Sequence, residues 1–272
     1  MPQTIYIGIA FVLYALAIAV IVIGLRQGQA LGKQQRLALI AASSGGLLFH
    51  AGALYKSLNS AIGLNLALTN AASVVAWTIV LLFTLALVFR RPIENLGLGI
   101  LPVSIITLIA QDLWPALHPL PTQDSMAQSI HIAISLLAYA LLSLAAAQSL
   151  VLLVQEHQLR HKRPGGFMHA LPPVQTMEYL MVQLVIIGFI LLSLTVASGL
   201  FFSQEIFGQP FRLTHHVVLS LAAWLVFGTF LLGHWRFGWR GKIAIRWVLI
   251  GSGLLVLSYF GTKFVLEIVL SR

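Results

Sequence analysis

Apolar positions run along this chain in eight long stretches separated by short polar gaps, a pattern that predicts membrane-spanning helices rather than amphipathic helices or alternating strands. The stretches are Ile5 to Leu25, Leu37 to Tyr55, Leu66 to Phe89, Leu96 to Gln111, Ala127 to Val154, Tyr179 to Ser203, Leu213 to Trp235 and Trp247 to Leu270. A crossing needs about 20 apolar residues, and only the fourth stretch falls short: it contains Pro102 early and ends at Asp112. By length alone that segment also suits a tilted, re-entrant or interfacial helix. The predicted fold is all-α, a polytopic transmembrane bundle of about eight helices forming a single integral-membrane domain over residues 1–272.

The basic residues decide the fourth segment. If all eight stretches cross, one side receives the twelve residues Arg26, Lys33, Arg36, Arg90, Arg91, Arg160, Lys162, Arg163, Arg236, Arg240, Lys242 and Arg246. The other side keeps four, Lys56, Arg212, Lys263 and Arg272. That bias assigns the first side to the cytoplasm and both termini to the outer, periplasmic side. Omitting the fourth crossing would place Arg160 to Arg163 and Arg236 to Arg246 opposite Arg26 to Arg36, so a full crossing is expected. The first stretch lacks a basic leader and is long for a signal peptide, so it is expected to remain as a helix. Between Glu156 and Glu178, Pro164, Gly165, Gly166, Pro172 and Pro173 interrupt any continuous helix.

Composition agrees: 59% of the 272 residues are hydrophobic and 8% charged, and mean hydropathy is +0.94. Membrane lipids are thus the first partners, and a bilayer is the expected location. The net charge of +9 sits in the gaps between apolar runs, where it meets anionic headgroups, so no nucleic-acid partner is expected. The chain has no cysteine, which excludes disulfides, thiolate metal sites, a CxxC redox motif and covalent haem attachment to this chain.

Candidate chemistry rests on histidine. His50, His131 and His234 lie in or at the ends of apolar runs, where an imidazole is costly unless partnered, and each is a candidate ligand, ion or proton site. His50 lies about 20 Å above Leu37 along its helix, in the outer half of the membrane. His131 follows the outer start of the fifth stretch, within roughly 5 to 10 Å of that height. His234 ends the seventh stretch near the cytoplasm and does not reach His131 without a long bridging ligand or a broken helix. Each has a plainer reading. His234 suits an interfacial anchor with Trp235, Arg236, Trp239 and Arg240. His131 suits a local hydrogen bond near Gln128, Ser129 and Ser135. His50 follows Gly45 and Gly46, small residues that bring a neighbouring helix close enough to press the imidazole against protein. His215 and His216 open the seventh helix beside Thr214 and read as capping or surface residues. His157, His161 and His169 read as solvated residues of a basic loop.

The run His131, Ser135, Tyr139, Ala140, followed by His234 and by Gly238, Trp239, Arg240, Gly241, resembles the CcsA-type cytochrome c assembly proteins, nearest their YpjD and HemX-like branch. The likeness covers the chain from about His50 to Phe260. It implies a helical bundle that handles haem, with His50 and His234 as the paired transmembrane histidines and His131 as the first outer histidine, all as haem-iron ligands. Cytochrome c synthases of that family carry a tryptophan-rich segment with an aspartate. Here the matching stretch, from Ser198 and Gly199 through Glu205 and Gly208 to Trp224, has Phe207, Phe211, Leu213 and Thr214 instead. The second outer histidine is missing around Ser258 to Lys263. Phe207 and Phe211 are expected to stack on a porphyrin and Arg212 to meet its propionates.

These departures predict a haem carrier, sensor or chaperone binding haem b, more a non-enzyme than a synthase, that supports haem trafficking or cytochrome c maturation. Its partners would be cytochrome c maturation or haem-biosynthesis proteins. The alternative is an accessory or regulatory membrane protein of haem biosynthesis, or of another membrane complex, that acts through its cytoplasmic loops. An ion or metal transporter is disfavoured because the spans lack paired carboxylates, Asp112 and Glu267 lying near the ends.

Overall fold

The computed structural model describes residues 2–27, 31–60, 63–115, 126–161, 171–203, 213–265 and 267. In chain order the helices are α1 (Gln3–Arg26), α2 (Lys33–Leu58), α3 (Leu68–Val88), α4 (Gly97–Leu113), α5 (Met126–Arg160), α6 (Val174–Phe201), α7 (His215–Phe237) and α8 (Lys242–Val256). A π-helical turn (Leu257–Gly261) and the short α9 (Thr262–Phe264) continue α8. Among the described residues, eight helical segments are long and apolar enough to cross a bilayer. The two-residue strands β1 (Asn59–Ser60) and β2 (Gly63–Leu64) pair antiparallel between α2 and α3 and add no further layer.

The fourth stretch is of spanning length. A 3₁₀ turn (Glu94–Leu96) leads into α4, so the helical segment runs 20 residues from Glu94 to Leu113 and continues through Pro102. Other ends move outward from the apolar runs because polar residues extend the helices. In α5, Arg160 pairs with Glu156 one turn back at 3.0 Å, carrying the helix past Val154 to 35 residues. Helix α6 starts at Val174, directly behind Pro172 and Pro173, where a missing N–H costs no helical bond. Helix α8 starts at Lys242 rather than Trp247, because the turn before it closes at Gly241.

The chain forms two compact units. The first holds α1 to α4, residues 151–160 of α5 and the start of α6 up to Met177. In α1 the buried positions Ile7, Ala10, Tyr14, Ala17, Ile21 and Gly24 alternate by three and four residues, a stripe that packs on α2 and α4. Gly46 of α2 lies against the Tyr14 ring, and a Cβ at that position would collide with it. At one end of this unit Arg36 pairs with Glu94 and donates to the carbonyls of Leu87 (2.8 Å) and Arg91 (3.3 Å), tying α2 to the ends of α3 and α4. At the other, Asn70 donates to the carbonyls of Ser57 (3.3 Å) and Asn65 (3.1 Å), and Gln111 bonds the Ser57 hydroxyl.

The second unit holds residues 126–150 of α5, α6 from Glu178, α7 and α8 with its continuation. Leu142 of α5 packs on Gly188 of α6, and Phe227 of α7 packs on Gly251 of α8. The Trp224 indole of α7 donates to Ser193 Oγ of α6 at 2.8 Å and stacks on Phe189 at 5.7 Å between ring centres. Ser258, in the π turn, bonds Ser220 (2.7 Å) and donates to the His216 carbonyl (2.9 Å), joining the last span to α7.

Candidate functional site

His50 is fully buried in the first unit, and both of its ring nitrogens are engaged. Nδ1 lies 3.2 Å from the Tyr14 hydroxyl of α1 and Nε2 lies 2.9 Å from Ser73 Oγ of α3. Tyr14 and Ser73 are themselves fully buried. The imidazole therefore brackets three helices, and Gly46, one turn before it, makes the room for Tyr14. Iron ligation at His50 requires one of these bonds to open.

His131 in the second unit is arranged differently. Its Nδ1 lies 2.7 Å from Ser198 Oγ of α6. The Ser198 hydroxyl donates its single proton to the Thr195 carbonyl at 3.0 Å, so Ser198 accepts from His131 Nδ1–H, and in the neutral ring the lone pair falls on Nε2. The ring passes over Gly199, where a Cβ would sit 3.6 Å from His131 Cε1. Ser135, one turn on, donates to the His131 carbonyl at 2.6 Å. Through Ser198, His131 ties α5 to α6.

His234 sits at the opposite end of the same unit, in a turn built by the Gly238–Gly241 segment. Gly238 takes the left-handed conformation (φ 66°) that ends α7, and the Trp239 N–H returns to the Gly233 carbonyl at 3.3 Å. Trp239 packs over Gly233, where a Cβ would clash with its indole, and stacks on Trp247 at 5.3 Å. Glu178 of α6 accepts from the Gly241 N–H at 2.9 Å and fixes the far side of the turn. The result orients His234: its Nδ1 lies 2.7 Å from the Trp239 carbonyl, which only accepts, so Nδ1 carries the proton and Nε2 the lone pair in the neutral ring. The sequence expectation of an interfacial anchor captures Trp235, which is 82% exposed, but Trp239 is folded inward against its own helix.

His131 and His234 are not brought together. His216, at the start of α7, is close enough to His131 for the two rings to interact electrostatically, whereas His234 follows His216 by eighteen residues, roughly 27 Å along the helix. His50 belongs to the other unit. Phe207, Phe211 and Arg212, and with them His169, lie outside the described residues. Thr214 caps α7 as expected, accepting from the Val217 N–H at 3.4 Å. Sequence reasoning passed over Glu178, and gave Ser198 and Tyr139 no role beyond the family likeness. The four-residue steps from His131 to Ser135 to Tyr139 were the available signal for the last of these, since they place all three along neighbouring turns of α5.

An eight-span helical membrane protein with hydrogen-bonded imidazoles on its spans defines the class. The chain belongs to the cytochrome c assembly protein family, whose profile matches residues 38–270. It is 32% identical over 267 residues to the inner membrane protein YpjD of Escherichia coli (strain K12), covering 96% of this chain and 97% of that one. It is similar to the cytochrome c biogenesis protein CcsA of Synechococcus sp. (strain CC9605), 24% identical over 189 residues and 62% of each chain. Protein HemX of Brevibacillus brevis is 22% identical over 131 residues, 48% of each chain. This protein is accordingly a multi-pass protein of the inner membrane.

Proposed function

We propose that this protein binds haem b through imidazole ligands and supports haem trafficking or cytochrome c maturation as a carrier or chaperone. The observation that carries the reading is the His131–Ser198–Thr195 chain, which orients the His131 ring between α5 and α6 within a member of the cytochrome c assembly family. Haem iron takes neutral imidazole, and a hydrogen bond from the other ring nitrogen is what orients such a ligand. His234 meets the same condition through the Trp239 carbonyl. Because His216, near His131, stands roughly 27 Å along α7 from His234, the two are proposed for different sites rather than for one iron. His50 joins as a ligand only in a state where Tyr14 or Ser73 has let go. Phe207 and Phe211 are proposed to stack on the macrocycle near His131, with Arg212 at a propionate.

When bound, the haem supplies an iron centre open to ligand and electron exchange. The protein's own share is to orient the imidazole rings and keep water from them. The replacement of the tryptophan-rich segment by Phe207, Phe211, Leu213 and Thr214 favours a carrier over a synthase. Cytochrome c maturation or haem-biosynthesis proteins are the proposed partners, alongside membrane lipids. The similarity to Protein HemX over about half of each chain favours a second reading, an accessory protein acting through partners.

Purification in mild detergent separates the two. A haem carrier shows a Soret band that shifts or disappears in His131→Ala. A colourless protein that stays active in His50→Ala, His131→Ala and His234→Ala overturns the haem reading in favour of the accessory one.

A further inference from the structure

Tyr139 stands two turns deeper in α5 than His131, and its phenol oxygen is buried with no hydrogen-bond partner among the described residues. Leaving such a group unpaired is costly, and phenylalanine would fill the same space without that cost. Packing alone thus does not account for the hydroxyl. Its surroundings are aromatic and lie on the last span. The Tyr139 ring meets Phe260 edge-on at 5.7 Å, Tyr259 meets Phe260 edge-on at 5.2 Å, and Lys263 Nζ lies 5.8 Å from the centre of the Tyr259 ring. Tyr259 and Phe260 belong to the π turn, a helical irregularity that recurs at functional sites. Lys263 is also paired with Glu267 at 3.1 Å.

On the His131 side, the Ser135 hydroxyl is committed to the His131 carbonyl. Tyr139 is therefore the uncommitted donor on this stretch of α5. Eight residues separate it from His131, roughly 12 Å along the axis, a span suited to a flat macrocycle rather than to a single ion. A porphyrin is apolar over its faces and carries carboxylates on one edge. An unpaired phenol in an apolar wall, with an ammonium group on the facing element, matches that edge.

The geometry points to Tyr139 as a hydrogen-bond donor to a carboxylate of the porphyrin that His131 anchors, with Lys263 supplying nearby positive charge. This assignment rests on the haem reading of His131. It makes Tyr139 a binding residue that sets how the ligand lies along α5, apart from the axial contact.

The test titrates the full chain, in detergent, with ferric protoporphyrin IX and with iron octaethylporphyrin, which has no carboxylate. Tyr139→Phe is expected to weaken protoporphyrin binding roughly 10- to 100-fold, the loss of one hydrogen bond to a charged group. The Soret position stays unchanged, octaethylporphyrin binds as in the parent, and the ligand-free variant melts at or above the parent temperature. Equal protoporphyrin affinity in parent and variant overturns the inference, as does an equal loss with both porphyrins. If the parent protein takes up neither porphyrin, the haem reading itself fails and takes this inference with it. Should Tyr139→Phe not accumulate, Lys263→Gln reads the same discrimination: selective loss of protoporphyrin supports the assignment, and equal behaviour toward the two porphyrins overturns it.

Discussion

A neutral imidazole has one N–H and one lone pair, so whatever holds one nitrogen decides what the other offers. The three membrane histidines divide on this point. His50 is closed at both nitrogens by Tyr14 and Ser73, 36 and 23 residues away in sequence. His131 is held at Nδ1 by Ser198, 67 residues away. His234 is held at Nδ1 by the carbonyl of Trp239, five residues on. Ser198→Ala removes the acceptor that fixes the His131 tautomer. On the proposed haem reading, Soret titration should then show an affinity roughly 10- to 100-fold lower, the usual effect of removing the partner behind a ligating histidine. An unchanged affinity would show that Ser198 does not orient the ligand. The sequence singled out the three histidines, because imidazole in an apolar run is conspicuous. Their different roles were not readable there, since the deciding partners of His50 and His131 are ordinary hydroxyl residues on other helices.

At the scale of elements, the Gly238–Gly241 turn is the local structure with the clearest dependence on particular residues. Gly238 and Gly241 have φ values of 66° and 56°, and the left-handed region costs a residue with a Cβ about 1–2 kcal/mol. Gly238→Ala should therefore lower stability by that amount, seen as a drop in melting temperature, and alter tryptophan emission as the Trp239–Trp247 stack loosens. A variant with parent melting and emission would mean that the turn does not set the position of His234. The apolar runs located each helix, yet they missed ends by several residues at α5, α6 and α8. Those ends are settled by an ion pair, a proline pair and a glycine turn, none of which alters the hydropathy of the run beside it. The π turn at Leu257–Gly261 left no mark in the apolar pattern at all, because it arises where Ser258 bonds sideways to α7.

At the scale of the whole molecule, the twelve-to-four distribution of basic residues predicts that both termini face the outer side. A reporter enzyme that is active only outside the cytoplasm should be active when fused at the C-terminus and inactive when fused after Arg240. The reverse pattern would overturn the assignment of both termini to the outer side. The two compact units were not foreseen from the apolar pattern, which reads as one continuous series of spans. The division falls within α5 and near the start of α6, inside continuous helices.

The sequence by itself determined the solvent, the number and approximate position of the spans, and the short set of ionisable groups that membrane burial makes notable. Each of these depends on the composition of a single stretch of chain, which transfer free energy reads without reference to neighbours. Only the tertiary structure decided that His50 is bracketed, that His131 and His234 are each held at Nδ1, and that Tyr139 has an unspent donor. Hydrogen bonds depend on distances of about 3 Å between particular atoms, and helices far apart in sequence come that close only once the bundle is packed.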